Sequence, residues 1–333
     1  INRDHQKASF RTLTIICFSH DAGLYGATLS FIDTVIGFHN AGIKCIVYFP
    51  QKGPGRDRLS TFGIKSSVLT YKHWVLGQST DNSIWYNMKV WKFKMQKHLI
   101  NLRVVSQLYQ KHKNERIDLV YTNTSTIPVG IWLAQKLKVK HLWHIREFGR
   151  LDHGHSFDLG DRYFKRWLLK SSRVVFISKS LMQHYTSRFS VQNKDVIHNG
   201  VYSESEIKQQ KISLHRKESD RLVFIMVGQI KREKGHFEAL KAFKRVQSAH
   251  PECELWIVGS GAVRDMQTLH EMITGHNSVR VFSFSKDINK YYRGANVLLM
   301  CSDSEAFGRV TVEAMSHGVA VIGKNSGATP EII

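Results

Sequence analysis

The chain has 333 residues, 42% apolar and 23% charged, a length and composition suited to two globular domains. No apolar run reaches the ~18 residues of a membrane span, LTIICFSH lacks the flanks of a signal peptide, and the four cysteines form no C-x-x-C pair; spanning helices and a disulfide framework are thereby disfavoured, and buried reduced thiols are expected. The net charge of +21 is uneven: residues 1–200 carry 30 Lys+Arg against 12 Asp+Glu, a net of +18, and residues 201–333 carry 18 against 15, a net of +3. The first part therefore suits an acidic partner, such as anionic lipid, a phosphate-bearing acceptor or nucleic acid.

In chain order, β-rich runs alternate with amphipathic helical patterns. The predicted strand Leu13–Phe18 runs into SHDAGLYGATLSF, where Gly23 and Gly26 permit a sharp turn and a predicted helix covers Gly26–Asn40. Free N–H groups there suit an anion; a plain strand-to-helix turn explains the same residues. The pattern is not G-x-G-x-x-G, so a nicotinamide cofactor is not indicated. After strand Lys44–Phe49, residues 84–113 repeat apolar positions 84, 88, 91, 95, 99, 102, 105 and 109 at helical spacing, with Lys89, Lys92, Lys94 and Lys97 among aromatics. Either that stripe packs on a sheet, or the helix lies on an anionic membrane.

Strand Leu119–Thr122, helix Ile127–Leu137 and strand His141–Ile145 follow, the last ending in WHIREFG. His144 there is either a base or hydrogen-bond donor at a strand end, or a partly buried histidine with a structural partner. Strands Val174–Ile177 and Asp195–His198 complete this series. The polar stretch 199–220 reads as a linker, and the charge balance changes there. Domains are predicted at 1–200 and 201–333.

The second series has strands Leu222–Val227, Glu254–Val258, Val279–Phe282, Val297–Met300 and Val319–Ile322, with helices His236–Ala249 and Val263–Ile273 between them. Such alternation predicts parallel α/β sheets in doubly wound domains, which bind ligands beyond the strands' carboxyl ends. GQIKREKG combines glycines with Lys231, Arg232 and Lys234, suiting a diphosphate or simply a charged loop. GSGAV makes another glycine turn. In SDSEAFGRVTVEAMSHG, Glu305 lies in a loop and Glu313 about one turn inside the next helix. Two carboxylates can grip polyol hydroxyls, while the amides of Ala306, Phe307 and Gly308 suit phosphate oxygens; a loop acid and a solvated helix acid is the alternative. Asp303-Ser304-Glu305 also admits a metal reading, though no second acid cluster completes a shell.

VGQIKREKGHFEALKAF, LWIVGSGA and SDSEAFGRVTVEAMSHGVAVIGKNSGATPEII resemble the GT-B glycosyltransferases, in particular glycosyltransferase family 4 with its E-x7-E pair. The resemblance is strongest over 220–333 and extends through WHIREF, FISKS and VIHNGV. It implies an α/β GT-B fold, two Rossmann-like domains facing across a cleft, with the C-terminal end truncated because the family continues past ATPEII. It implies an N-terminal acceptor domain and a C-terminal domain for a nucleotide-sugar co-substrate, a UDP- or GDP-sugar, with no cofactor and no metal. By motif, Glu313 would hold the ribose, Glu305 the donor hexose and Lys234 the diphosphate, with Phe307 and Gly308 amides on phosphate or sugar. Ser283 and Phe284 would lie beside the base, His144 at the reacting centre, and the Gly23–Gly26 loop would close over it. Where the family often has arginine, this chain has Gln229, for which Lys231 or Arg232 would substitute.

The expected activity is retaining, metal-independent hexosyl transfer to a glycan or lipid-linked acceptor in surface polysaccharide or lipopolysaccharide-type biosynthesis. The enzyme would be cytoplasmic and peripheral on the inner face of the plasma membrane, docking through its basic N-terminal domain. Retention by double displacement would need a nucleophilic carboxylate, and no residue stands out for it. Rival readings are a GT-B nucleotide-sugar epimerase and a non-catalytic binder of nucleic acid or acidic polymer. The E-x7-E pair argues against the binder, since a polyanion does not need those acids.

Overall fold

A computed structural model of the chain describes residues 11–77, 83–204, 206–208, 221–285 and 287–333. Of the predicted linker, residues 205 and 209–220 lie outside the described residues. Two compact units are present: one holds residues up to 150 with 154–176 and 186–195, the other 151–153, 177–185 and 196–333.

In the first unit, β1 (Thr14–Phe18), β2 (Lys44–Phe49) and β3 (Ser66–Val68) join β5 (Leu119–Asn123), β6 (Lys140–Ile145), β8 (Arg173–Phe176) and β9 (Lys194–Val196) in one sheet. Its order is β3-β2-β1-β5-β6-β8-β9, and β1 pairs in parallel with both β2 and β5. β4 (Val75–Gly77) and β7 (His155–Phe157) make a separate antiparallel pair. Parallel neighbours require crossovers, which α1 (Gly26–Asn40), α2 (Pro54–Ser60), α3 (Ile84–His112) and α4 (Val129–Leu137) provide. α6 (Gly160–Leu168) follows in this unit, while most of α5 (Arg150–His153) and of α7 (Lys179–Arg188) belongs to the second.

Why β1 is apolar from Ile15 to Phe18 is then clear. Ile15 and Cys17 face Phe31, Ile32 and Val35 of α1. Ile16 and Phe18 lie on the opposite face and are also fully buried, because helices cover both sides of a parallel sheet.

Of the predicted α3 stripe, Val105 is buried, while most of the positions before it point away from the rest of the unit. Ile84, Met88, Trp91, Leu99 and Leu102 are exposed, whereas the buried face is Lys97, Asn101, Val104, Val105, Leu108 and His112. Specific polar contacts seat that face. The Lys97 ammonium lies 2.6 Å from the Asp158 carboxylate and donates to the Val75 carbonyl at 3.1 Å. The Asn101 amide exchanges two hydrogen bonds with the Lys72 backbone, at 2.7 and 2.9 Å. His112 Nε2 meets the Tyr48 hydroxyl at 2.8 Å. Burial lowers the Lys97 pKa and raises that of Asp158, and each partner opposes the other's shift.

The second unit has β10 (Val223–Val227), β11 (Glu254–Val258), β12 (Val279–Phe282), β13 (Val297–Met300) and β14 (Ala320–Gly323) in the order β12-β11-β10-β13-β14, paired in parallel throughout. α8 (His236–Ala249), α9 (Val263–Ile273), α10 (Asn289–Gly294), α11 (Arg309–Ser316) and α12 (Thr329–Ile332) connect or follow them. Met226 packs with Leu240 and Phe243 on one face, while Ile225 packs with Tyr292 and Ala314 on the other.

Removing one partner of a buried ion pair strands the other charge, at a cost of roughly 3–5 kcal/mol. Lys97→Ala should therefore destabilise the protein by about that amount in urea unfolding, and Lys92→Ala on the exposed face of α3 by under about 0.5 kcal/mol. Equal effects would show that the pair does not seat the helix.

Candidate functional site

The strand order of the second sheet reverses between β10 and β13, so the loops leaving them open a crevice at the carboxyl edge. Gly235 ends the first loop with φ 73°, and a Cβ on it would lie 2.3 Å from the Cys301 carbonyl oxygen. Only glycine permits that approach. It brings Lys234 Nζ to 2.6 Å from the Glu305 carboxylate, and both side chains remain partly accessible. On the other side, the Ala328 N–H donates to the Glu305 carbonyl at 2.8 Å. A Cβ on Gly327 (φ 58°) would lie 2.6 Å from that same oxygen. The SGATPEI segment thus clamps the Glu305 loop. Asp303 pairs with Lys324 instead, so Asp303 and Glu305 each hold a different lysine rather than converging as a metal site. Among the described residues no group of three or more His, Cys, Asp or Glu side chains could hold a metal.

Gly308 (φ 87°) precedes α11, with Ala306 and Phe307 buried ahead of it. Phe307 lies 5.9 Å, ring to ring, from His198. Glu313, one turn into α11, lies 3.7 Å from Arg309 Nε and accepts from the Tyr292 hydroxyl at 3.3 Å. Burial raises its pKa, and Arg309 opposes the rise. Gln229 is exposed and follows Gly228 (φ 141°). The GSG turn packs backbone to backbone against this loop: a Cβ on Gly259 would lie 1.9 Å from the Gly228 oxygen, and the Ile230 N–H donates to Ser260 at 2.9 Å. Of the two cations considered as substitutes at Gln229, Lys231 donates to the Asp152 carbonyl at 2.8 Å and Arg232 is exposed. Ser283 and Phe284 are exposed after β12, two strands out from the crevice.

In the first unit, Gly23 follows β1, its N–H donating to the Asp21 carboxylate at 3.1 Å, and Gly26 is the exposed first residue of α1. Asn123 ends β5 directly opposite His144 on β6. Arg146, 5% exposed, ties these ends together. Its Nε donates to Asn123 Oδ1 at 2.6 Å, and one terminal nitrogen reaches the Tyr121 hydroxyl at 3.2 Å and His144 Nδ1 at 3.1 Å. A guanidinium can only donate, so His144 Nδ1 accepts and the imidazole proton sits on Nε2. That nitrogen is buried and has no hydrogen-bond partner among the described residues. Burial first, and the Arg146 charge second, hold the His144 pKa well below its usual value. His144 is thus a neutral N–H donor. Thr124, next to Asn123, has φ 69°, a conformation that costs a β-branched residue energy and recurs at functional sites.

Tyr121, Asn123 and Thr124 carry no sequence motif. Their one signal was the polar run TNTS closing an apolar strand beside the strand that holds His144.

Residues 25–205 match the family described as Glycosyltransferase Family 4, and residues 207–333 match Glycosyl transferases group 1. The chain belongs to glycosyltransferase family 4. An uncharacterized glycosyltransferase of Methanocaldococcus jannaschii is 29% identical over 57% of this chain and 52% of its own length. A capsular polysaccharide biosynthesis glycosyltransferase of Staphylococcus aureus is 26% identical over 52% of this chain and 50% of its own. The chain thus spans about half the length of these two relatives. Anabaena HepE, solved with UDP and glucose, superposes with a TM-score of 0.70 at 20% identity, covering 96% of this chain and 83% of HepE. A lipopolysaccharide outer core galactosyltransferase superposes at 0.65 with 18% identity, covering 96% and 82%. The fold of this glycosyltransferase is GT-B.

Burial holds His141 down to about 3 and His236 down to about 4, and His144 is also held low. Their folded values lie below the unfolded ~6.5, so the unfolded chain binds more protons below that pH. Stability should fall as pH drops from about 6.5, by about 2 kcal/mol at about pH 5 for each of His141 and His236, with His144 acting in the same direction. Chemical unfolding across that range should show the slope, and His141→Gln should flatten it; an unchanged slope would mean that His141 does not carry the effect.

Proposed function

We propose that this glycosyltransferase moves a sugar from a UDP- or GDP-sugar to a glycan or lipid-linked acceptor in surface polysaccharide or lipopolysaccharide-type assembly, in the cytoplasm at the inner face of the membrane. The carrying observation is the Lys234–Glu305 pair, 2.6 Å apart and partly accessible in the crevice between the β10 and β13 loops. A cation and a carboxylate so placed suit a diphosphate and a sugar hydroxyl side by side. The complex of HepE with UDP and glucose, and the roles of similar proteins in capsular polysaccharide and lipopolysaccharide outer core biosynthesis, favour the same reading.

In this reading Lys234 neutralises charge on the diphosphate, assisted by the Phe307 and Gly308 amides, with Gln229 a neutral neighbour. Glu305 accepts from the donor sugar and Glu313 from the ribose, while Ser283 and Phe284 flank the base. Transfer is retaining and metal-independent. The bond from the anomeric carbon to the diphosphate breaks as the acceptor oxygen bonds on the same face, and the acceptor proton goes to the departing diphosphate. No protein base is then required, which agrees with a His144 whose Nδ1 is already occupied by Arg146. Its Nε2–H donates to a hydroxyl of the substrate held by the first unit, and the Gly23–Gly26 loop closes over that substrate. Catalysis is by positioning and charge stabilisation.

Calorimetry with UDP-, GDP- and ADP-sugars should find one saturable donor. A hydrogen bond to a charged group contributes about 1.5–3 kcal/mol, so Glu313→Ala and Lys234→Ala should each weaken binding by roughly ten- to a hundredfold. Saturable donor binding unaltered in both variants would remove these residues from the donor site, and no binding of any donor by the folded protein would end the transferase reading. Once an acceptor is in hand, His144→Ala should lower kcat about a hundredfold. His144→Gln, which keeps an N–H donor, should retain several times more activity; equal losses would refute a donor role.

A further inference from the structure

We infer that His153 is a further donor-binding residue of the crevice, and that it takes up a proton as the nucleotide-sugar binds. The inference rests on the donor reading of the Lys234–Glu305 pair and adds a group to the same site. Leu151–His153 lies in sequence between two stretches of the first unit but belongs to the second. Glycines shape that excursion. α5 lies between Gly149 (φ 77°) and Gly154 (φ 61°), and the Gly154 N–H closes the turn on the Arg150 carbonyl at 3.1 Å. Lys231 fastens it, its ammonium donating to the Asp152 carbonyl at 2.8 Å. Lys231 begins the same turn as Lys234, whose N–H donates to the Lys231 carbonyl at 3.2 Å. His153 is thereby set within electrostatic reach of Lys231, Lys234 and Glu305. Its Nε2 lies 3.9 Å from the Asp152 carboxylate, and its side chain is 49% exposed, so a ligand can meet it.

The charges around His153 set its role. The ammonium groups of Lys231 and Lys234 face it from the β10 loop, and the carboxylates of Asp152, on its own helix, and Glu305, on the β13 loop, oppose them. Burial is the main cause that holds its pKa down; Asp152 opposes that shift, and the two lysines add to it. The imidazole is therefore mostly neutral near about pH 7 before a donor binds. A diphosphate is a multiply charged anion. Held by Lys234, it offsets the two lysines and favours the imidazolium. The sign follows: the bound anion raises the His153 pKa, so binding takes up a proton and affinity rises as pH falls through about 7. The site has use for that charge. Gln229 is neutral, Lys234 pairs with Glu305, and Lys231 gives one of its N–H groups to the Asp152 carbonyl. An imidazolium adds a charge-assisted donor where the lysines of the loop are partly engaged. A His153 that served only to end α5 would couple neither proton nor pH to the donor.

The test is calorimetry with UDP-glucose, GDP-mannose and ADP-glucose, repeated in buffers of different ionisation enthalpy. Both phosphates of each probe are esterified, so the ligand itself does not titrate near neutral pH. Binding should take up as much as about one proton per site, and affinity should rise ~three- to tenfold from about pH 8 to about pH 6. His153→Gln keeps an N–H donor but cannot ionise. It should abolish the uptake, flatten the pH profile and weaken binding ~three- to tenfold at about pH 6, with little change at about pH 8. The position is half exposed, so the unfolding midpoint should stay at the wild-type level. Donor binding without proton uptake, uptake that persists in His153→Gln, or an equal loss of affinity at both pH values would overturn the inference and leave the donor site standing. No binding of any probe by the wild-type protein would instead end the donor reading, and this inference with it.

Discussion

The crevice beside β10 and β13 depends on one close approach of backbone. Parallel pairing of Phe224 with Val297 and Ile225 with Leu298 makes β10 and β13 neighbours at the centre of their sheet. The two loops then have to pass each other at the carboxyl edge, and they do so where Gly235 meets Cys301. A side chain at 235 would push the loops apart and separate Lys234 from Glu305. The same economy recurs on either side: Gly259 against Gly228, and Gly327 against Glu305. Three glycine contacts, rather than three charged residues, set the spacing in which the lysine and the glutamate can share a ligand.

The first unit uses a buried cation to a comparable end. Arg146 is almost fully enclosed and is held by neutral acceptors on β5 and β6. An enclosed guanidinium is costly without such partners, so Asn123 and Tyr121 are needed for the fold as well as for the site. Its field also decides the chemistry of His144. A lone histidine at a strand end can accept or donate a hydrogen bond; one whose Nδ1 already accepts from a guanidinium offers only the N–H at Nε2. The strained Thr124 lies at the same junction, and its carbonyl accepts from the buried Trp143 indole N–H at 2.7 Å.

Much of this was legible in the sequence, and unevenly so. Lys44–Phe49, Glu254–Val258, Val279–Phe282 and Val297–Met300 were found to the residue, because each is a short run dominated by apolar and β-branched residues, continuous where the strand is central and broken by Arg280 at the sheet edge. Ser66–Val68, Val75–Gly77 and His155–Phe157 were not, since three residues carry no period. The Glu305 loop was legible as a motif, but the clamp by Gly327 and Ala328 was not, because it joins positions more than twenty residues apart. The role of Arg146 was hidden as well, because its partner Asn123 lies on another strand, and only the register of β5 against β6 brings the two together.

α3 shows where periodicity alone misleads. A stripe at helical spacing says that one side of a helix is apolar, not that this side faces the core. The buried face combines three polar contacts, Lys97 to Asp158, Asn101 to the Lys72 backbone and His112 to Tyr48, with the apolar Val104, Val105 and Leu108, so counting apolar positions did not show which side turns inward.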